Sequence, residues 1–128
     1  MPNSLGNALK YLRRHVYLHA HNWRVLIICN SVEQYQRAYD EILRILDAGS
    51  LKIESANPQQ GWIQLEKGAM VRFGRIERSD DKFKFAGMQV AQIMWMYSPE
   101  PTDEEYIRSL LRSNVVPEDQ LVDEKIDW

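Results

Sequence analysis

Two apolar runs constrain this chain more than any other feature. Trp23 to Cys29, with Val25-Leu26-Ile27-Ile28-Cys29 at its centre, is a short apolar stretch rich in Ile and Val, flanked by His21-Asn22 on one side and Asn30-Ser31 on the other. Val90 to Tyr97 is the second, closed by Pro99 and Pro101. Runs of this length, bounded by turn residues, predict strands buried on both faces. Such strands need helices above and below them. The expected fold class is therefore α/β, a three-layer arrangement of one sheet with helices on both faces.

The rest of the chain supplies those helices and further strands. Asn3 or Ser4 can cap a first helix to about His19, with Leu5, Leu9, Leu12 and Val16 on one stripe. Ser31 caps a second helix, and Gln34 stands where a capping box places it. Val32, Tyr35, Ala38, Tyr39, Ile42, Leu43 and Leu46 line its inner face, and Gly49 ends it. Leu51, Ile53 and Ser55 then alternate with polar residues, at the period of a strand. Trp62 to Glu66 and Met70 to Ile76 read as a hairpin about the Lys67-Gly68 turn. Residues 77–84 are charged and predict a loop. Thr102 is expected to cap a last helix, with Glu105 completing its capping box and Tyr106, Ile107, Leu110 and Leu111 facing inward. The element order is α-β-α-β-β-β-β-α, without internal repeats or low-complexity segments.

The chain is long enough for one ordinary domain with a core of its own. Charge divides it unevenly. Residues 118–128 hold Glu118, Asp119, Asp123, Glu124 and Asp127 against Lys125, a net of −4. The remainder holds 15 basic and 13 acidic side chains, a net of +2. The expectation is a mildly basic domain over residues 1–117 followed by an acidic C-terminal tail over 118–128. The single cysteine, Cys29, excludes an intramolecular disulfide and reads as a small buried hydrophobe. No segment is apolar for long enough to span a bilayer, and Met1 to Arg14 has no apolar stretch of a signal peptide. The expected location is the cytoplasm, with no membrane partner.

Catalytic patterns are hard to find. His15 and His19 share a helix face, but no third ligand accompanies them, so they read as helix histidines. Asp80-Asp81 lies in a Ser-Asp-Asp-Lys sequence that favours a turn over a metal site. No Gly-x-Ser-x-Gly elbow and no Cys–His spacing stands out. No metal and no cofactor is expected. One pattern points to a ligand: Arg72, Arg75, Arg78, Lys82 and Lys84 alternate with Phe73, Phe83 and Phe85. Basic side chains interleaved with aromatics can follow a phosphate backbone and stack bases. The alternative is a solvated hairpin whose phenylalanines face the core.

A longer segment, Phe85-Ala86-Gly87-Met88-Gln89-Val90-Ala91-Gln92-Ile93-Met94-Trp95-Met96-Tyr97, resembles a stretch of the phage large terminase subunit, the ATPase that pumps DNA into capsids. In that family a Phe-Arg-Gly triplet precedes a strand that ends in Asp-Glu. The strand and capped helix from Val25, the hairpin at 61–76 and the helix from Thr102 resemble their counterparts in the same order. The resemblance covers about residues 4–113 and implies a P-loop-NTPase-like fold. Three features depart from it. Met1 to Asn7 holds no Gly-Lys-Ser/Thr to cradle phosphate, and Lys10 lies inside the expected helix. The acidic pair falls on Met96 and Tyr97. The arginine of the triplet is Ala86, followed by Gly87. Together these departures imply a pseudo-ATPase without catalytic residues, acting through a protein partner in DNA packaging or its regulation. Two other readings stay open: a small nucleic-acid-binding accessory protein using the basic 72–84 region, and a phage-encoded inhibitor of a host enzyme.

Overall fold

The structure is a computed structural model that describes residues 3–4, 24–47, 52–112 and 121–127. Its elements are β1 (Asn3–Ser4), β2 (Arg24–Cys29), α1 (Val32–Asp47), β3 (Ile53–Asn57), β4 (Trp62–Leu65), β5 (Met70–Arg75), β6 (Gln92–Trp95), α2 (Pro101–Arg108) and β7 (Val122–Asp127). Short 3-10 turns occupy Glu66–Gly68 and Asp81–Phe85. The strands form one mixed sheet in the order β1-β7-β6-β2-β5-β4-β3. β1, β7, β6, β2 and β5 run parallel, whereas β5, β4 and β3 form an antiparallel meander.

β2 is central and explains the architecture. Its residues Val25 to Cys29 are all inaccessible to solvent. Because side chains alternate along a strand, Val25, Ile27 and Cys29 pack on one side with Ala38, Tyr39, Ile42 and Leu46 of α1. Leu26 and Ile28 pack on the other side with Ile93 and Trp95 of β6 and with Phe85, Ile107 and Leu110. An aliphatic side chain buried on this scale contributes about 1.5–3 kcal/mol relative to exposure. The α/β class expected from the two apolar runs therefore holds, as one mixed sheet with helices.

Local rules set most boundaries. The Ser31 hydroxyl accepts the Gln34 backbone N–H at 3.1 Å, which fixes the start of α1. The Gln34 side chain reaches back to the Asn30 N–H at 2.8 Å, one residue before the cap. Val32, expected on the inner face of α1, is instead exposed. The hairpin of β4 and β5 pairs Ile63 with Val71 around the Lys67-Gly68 turn, as expected. Gly74 on β5 lets Phe85 lie directly against the backbone, since a Cβ there would fall 2.2 Å from the ring.

Three further expectations are corrected. α2 begins at Pro101, not after a Thr102 cap, and Glu100 precedes it without a side-chain cap bond. The fixed φ of proline is already helical, so Pro101 takes the first position and draws Thr102 into the first turn. Asn3 and Ser4, expected to cap a helix, form β1 beside β7. Most importantly, the expected acidic tail over 118–128 contains a strand: residues 122–127 form β7, parallel to β6, with Ile93 opposite Asp123 and Trp95 opposite Lys125, while residues 118–120 and 128 lie outside the described residues. Asp123 accepts the Trp95 indole N–H at 3.0 Å and the Arg108 guanidinium at 2.9 Å, and Lys125 meets Glu104 at 3.3 Å. Neutralised in this way, acidic residues can sit in a sheet. The expected helix over Leu5 to His19, with His15 and His19, lies outside the described residues. Among the described residues, no helix is long and apolar enough to cross a membrane.

Candidate functional site

In open α/β sheets, ligands collect where the parallel strands end at their carboxyl termini. That end carries Cys29 at the end of β2 and Asn30 after it, and Met96 and Tyr97 after β6. The Met96 side chain is buried in the cluster under α1. Its carbonyl accepts the Gln34 side-chain N–H at 2.8 Å, and its own N–H donates to Ile28 at 3.0 Å. Tyr97 stands edge-on to Trp95, with a buried hydroxyl that has no hydrogen-bond partner among the described residues. Burial pushes that hydroxyl up to about 12, with further upward contributions from Asp103 and Cys29. Burial likewise raises the Cys29 thiol to about 12, against a smaller opposing effect of Arg75. Neither group is an ionised nucleophile near neutrality. The nearby carboxylate of Asp103 is engaged at 2.9 Å by Lys82, both side chains being largely buried. Among the described residues no three His, Cys, Asp or Glu side chains are grouped to hold a metal ion.

The structure separates the five basic residues that the sequence brings into one run. Lys82 faces Asp103. Arg75 lies against the Tyr35 ring at 5.6 Å and within 3.8 Å of Glu77, lining a groove between α1 and residues 58–59. Arg78 sits in the turn that the Asp81 carboxylate ties together. Asp81 accepts the backbone N–H groups of Glu77 at 2.9 Å and Arg78 at 3.0 Å, and Lys84 approaches it at 3.1 Å. Those two backbone donors first, and then Lys84, hold the Asp81 carboxyl down to about 2. The aromatics between them divide as well. Phe73 and Phe85 are core residues, whereas Phe83 is 55% exposed against Tyr106.

Arg72 and Lys84 remain together. With Arg24 they line an open cleft of about 850 Å³ on the side of the sheet away from α1. Its floor is the amino-terminal part of β2 and β5, with Arg24, Met70 and Arg72. Its wall is the segment after the second 3-10 turn, including Lys84, Ala86, Gly87 and Met88. Two positions of the family-like triplet, Ala86 and Gly87, thus stand at the rim of this cleft, at the opposite end of the strands from Met96 and Tyr97. Arg24 is the member that sequence reasoning missed. Its place is fixed by register, since Arg24 pairs with Met70 and Leu26 with Arg72. Residues two apart on neighbouring parallel strands share a face, and that parallel pairing was the signal to be found.

No family model matches this chain, and no curated protein does. Among solved structures it is similar to the large terminase from a thermophilic bacteriophage, with a TM-score of 0.66 at 8% sequence identity. The match covers 97% of this chain and 30% of that one. The chain thus spans less than a third of the length of the terminase it matches, and across nearly all of its own length its fold is terminase-like.

Proposed function

We propose that this chain is a terminase-like fold used as a binding module and not as an ATPase, serving phage DNA packaging or its regulation through a protein partner. The observation that carries the reading is the state of the two positions after β6. A hydrolytic site of the P-loop-NTPase-like kind needs carboxylates there that reach Mg²⁺ and a water molecule. Met96 instead fills the core, and its carbonyl is taken by Gln34. Tyr97 presents a buried hydroxyl that stays protonated at neutral pH. Asp103, which could approach from α2, is spent on Lys82. Ala86, where the family has arginine, offers no charge to a phosphate.

Isothermal titration with Mg²⁺-ATP and a phosphate-release assay test this. The expected result is neither micromolar binding nor turnover. Turnover that a point substitution in this chain abolishes would overturn the reading. The partner is sought by affinity purification from infected cells. A packaging protein retained at about 0.5 M salt, where exposed charge contacts are screened, supports an apolar interface. Recovery of nucleic acid alone would move the function to the nucleic-acid alternative.

A further inference from the structure

The cleft at the amino-terminal end of β2 and β5 is independent of the terminase-like reading. It gathers Arg24, Arg72 and Lys84 from three separate segments, and no carboxylate lines it among the described residues. The chain as a whole carries a formal charge of −2, so the local charge runs against the overall one. Arg44, Arg75, Lys82, Arg108 and Lys125 all have a carboxylate partner. Arg24 and Arg72 have none among the described residues. Lys84 does pair with Asp81, but that carboxylate is held mainly by two backbone N–H groups, and the Lys84 side chain is 71% exposed with further donors free to reach a second anion.

We infer that this cleft binds the phosphate backbone of a single-stranded nucleic acid. Guanidinium groups offer planar pairs of donors that match phosphate oxygens, and Lys84 adds a point charge on the opposite wall. Gly87 has a φ of +85° with nothing within 4 Å of the place a Cβ would take, so the rim leaves room for a ligand to approach the backbone. Met70 and Met88 supply adaptable apolar surface for sugars and bases. The cleft holds more than one phosphate group, and three charges spread over its floor and wall suit a chain of phosphates. Charges on both the floor and the wall suit a flexible single strand, which can turn its phosphates toward either, better than a stiff duplex. The Gln64 amide is engaged with the Leu65 and Ala69 carbonyls at 3.2 and 3.3 Å, and the three cations read phosphates and not bases, so binding is largely tolerant of sequence and of the sugar.

The test is fluorescence anisotropy of the full chain with a labelled oligothymidylate of about 12 nucleotides. Three phosphate contacts give a slope of about −2 in log K against log salt, or a loss of about 20-fold between roughly 50 and 200 mM. Arg24→Gln and Arg72→Gln should each weaken binding about fivefold to tenfold at low salt and flatten the slope by about 0.7. Arg78→Gln, in the turn outside the cleft, should change neither. All three side chains are exposed, so each variant should keep its circular dichroism spectrum and melting curve. Absence of binding at low salt, or an equal loss from Arg78→Gln, would overturn the inference. Tighter binding of a duplex of the same length would overturn the single-strand assignment. Displacement by a mononucleotide at equal phosphate concentration would reduce the site to one for a small phosphate ligand.

Discussion

Lys82 separates two uses of positive charge, and its substitution should read out as stability. Its ammonium lies 2.9 Å from the Asp103 carboxylate, with 14% and 8% of the two side chains exposed. Lys82→Met keeps much of the aliphatic stem and removes the charge. Asp103 is then left in a nearly dry position between the second 3-10 turn and α2. Breaking a buried pair by removing one partner costs about 3–5 kcal/mol, and the residual exposure here argues for the lower end, about 3 kcal/mol. That is a large part of the ~5–15 kcal/mol that holds a domain of this kind folded. For a chain of this length it corresponds to a fall in Tm of roughly 10 °C.

The assay is thermal and urea unfolding followed by tryptophan fluorescence and circular dichroism. Lys82→Met with Asp103→Leu should recover most of the loss, because two apolar groups of similar size leave no charge unsatisfied. A single-variant loss below about 1 kcal/mol would refute the reasoning, since that is the size of an exposed surface pair. So would a double variant as unstable as the sum of the two single ones.

Close contacts set two further outcomes. Gly74→Ala places a Cβ 2.2 Å from the buried Phe85 ring, so the ring must move and stability should fall by about 1–3 kcal/mol in urea; an unchanged midpoint would show that Phe85 does not lie against that backbone. Asp81 titrates at about 2 in the folded chain against an ordinary value of 3.8. Its contribution is therefore complete above pH ~3.8 and is lost as the pH falls from there through about 2. Asp81→Asn should unfold more easily than the parent near neutrality, with the difference shrinking over that acid window. A difference that is constant down to about pH 2 would exclude Asp81 as the group responsible.

The centre of the fold is legible in the sequence because burial on both faces leaves a composition that little else produces. Val25 to Cys29 has no polar position to mark a solvent side, and the structure buries every one of them. The Lys67-Gly68 hairpin is legible for a local reason, the turn residue. β7 is not legible, because its sequence, Val-Asp-Glu-Lys-Ile-Asp, describes a solvated segment when read alone. What admits it to the sheet is contributed by other elements: the Trp95 indole, Arg108 and Glu104. Strand pairing that depends on remote partners leaves no periodic trace in the strand itself. The start of α2 is displaced by a weaker effect, a proline whose fixed φ outweighs a capping threonine.

The basic site shows the same limit in reverse. Five cations within thirteen positions suggest one surface, but chain proximity does not carry side chains to one place. After β5 the chain turns at Asp81 and winds through a 3-10 segment, so neighbouring residues point in different directions. Lys82 turns inward to Asp103 and Lys84 outward to the cleft. Arg75 lies three residues from Arg72 on one strand, and an odd spacing sends the two to opposite faces. Arg24 is 48 positions from Arg72 in the sequence, yet the parallel register of β2 and β5 places both on the same face, beside one cleft. A positive site in a parallel sheet is thus assembled across strands and not along them. Its members are found by asking which cations share a parity in registered strands and lack a carboxylate nearby. By that criterion Arg24 and Arg72 belong together, while Lys82, central to the run in sequence, belongs to the framework that holds α2 in place.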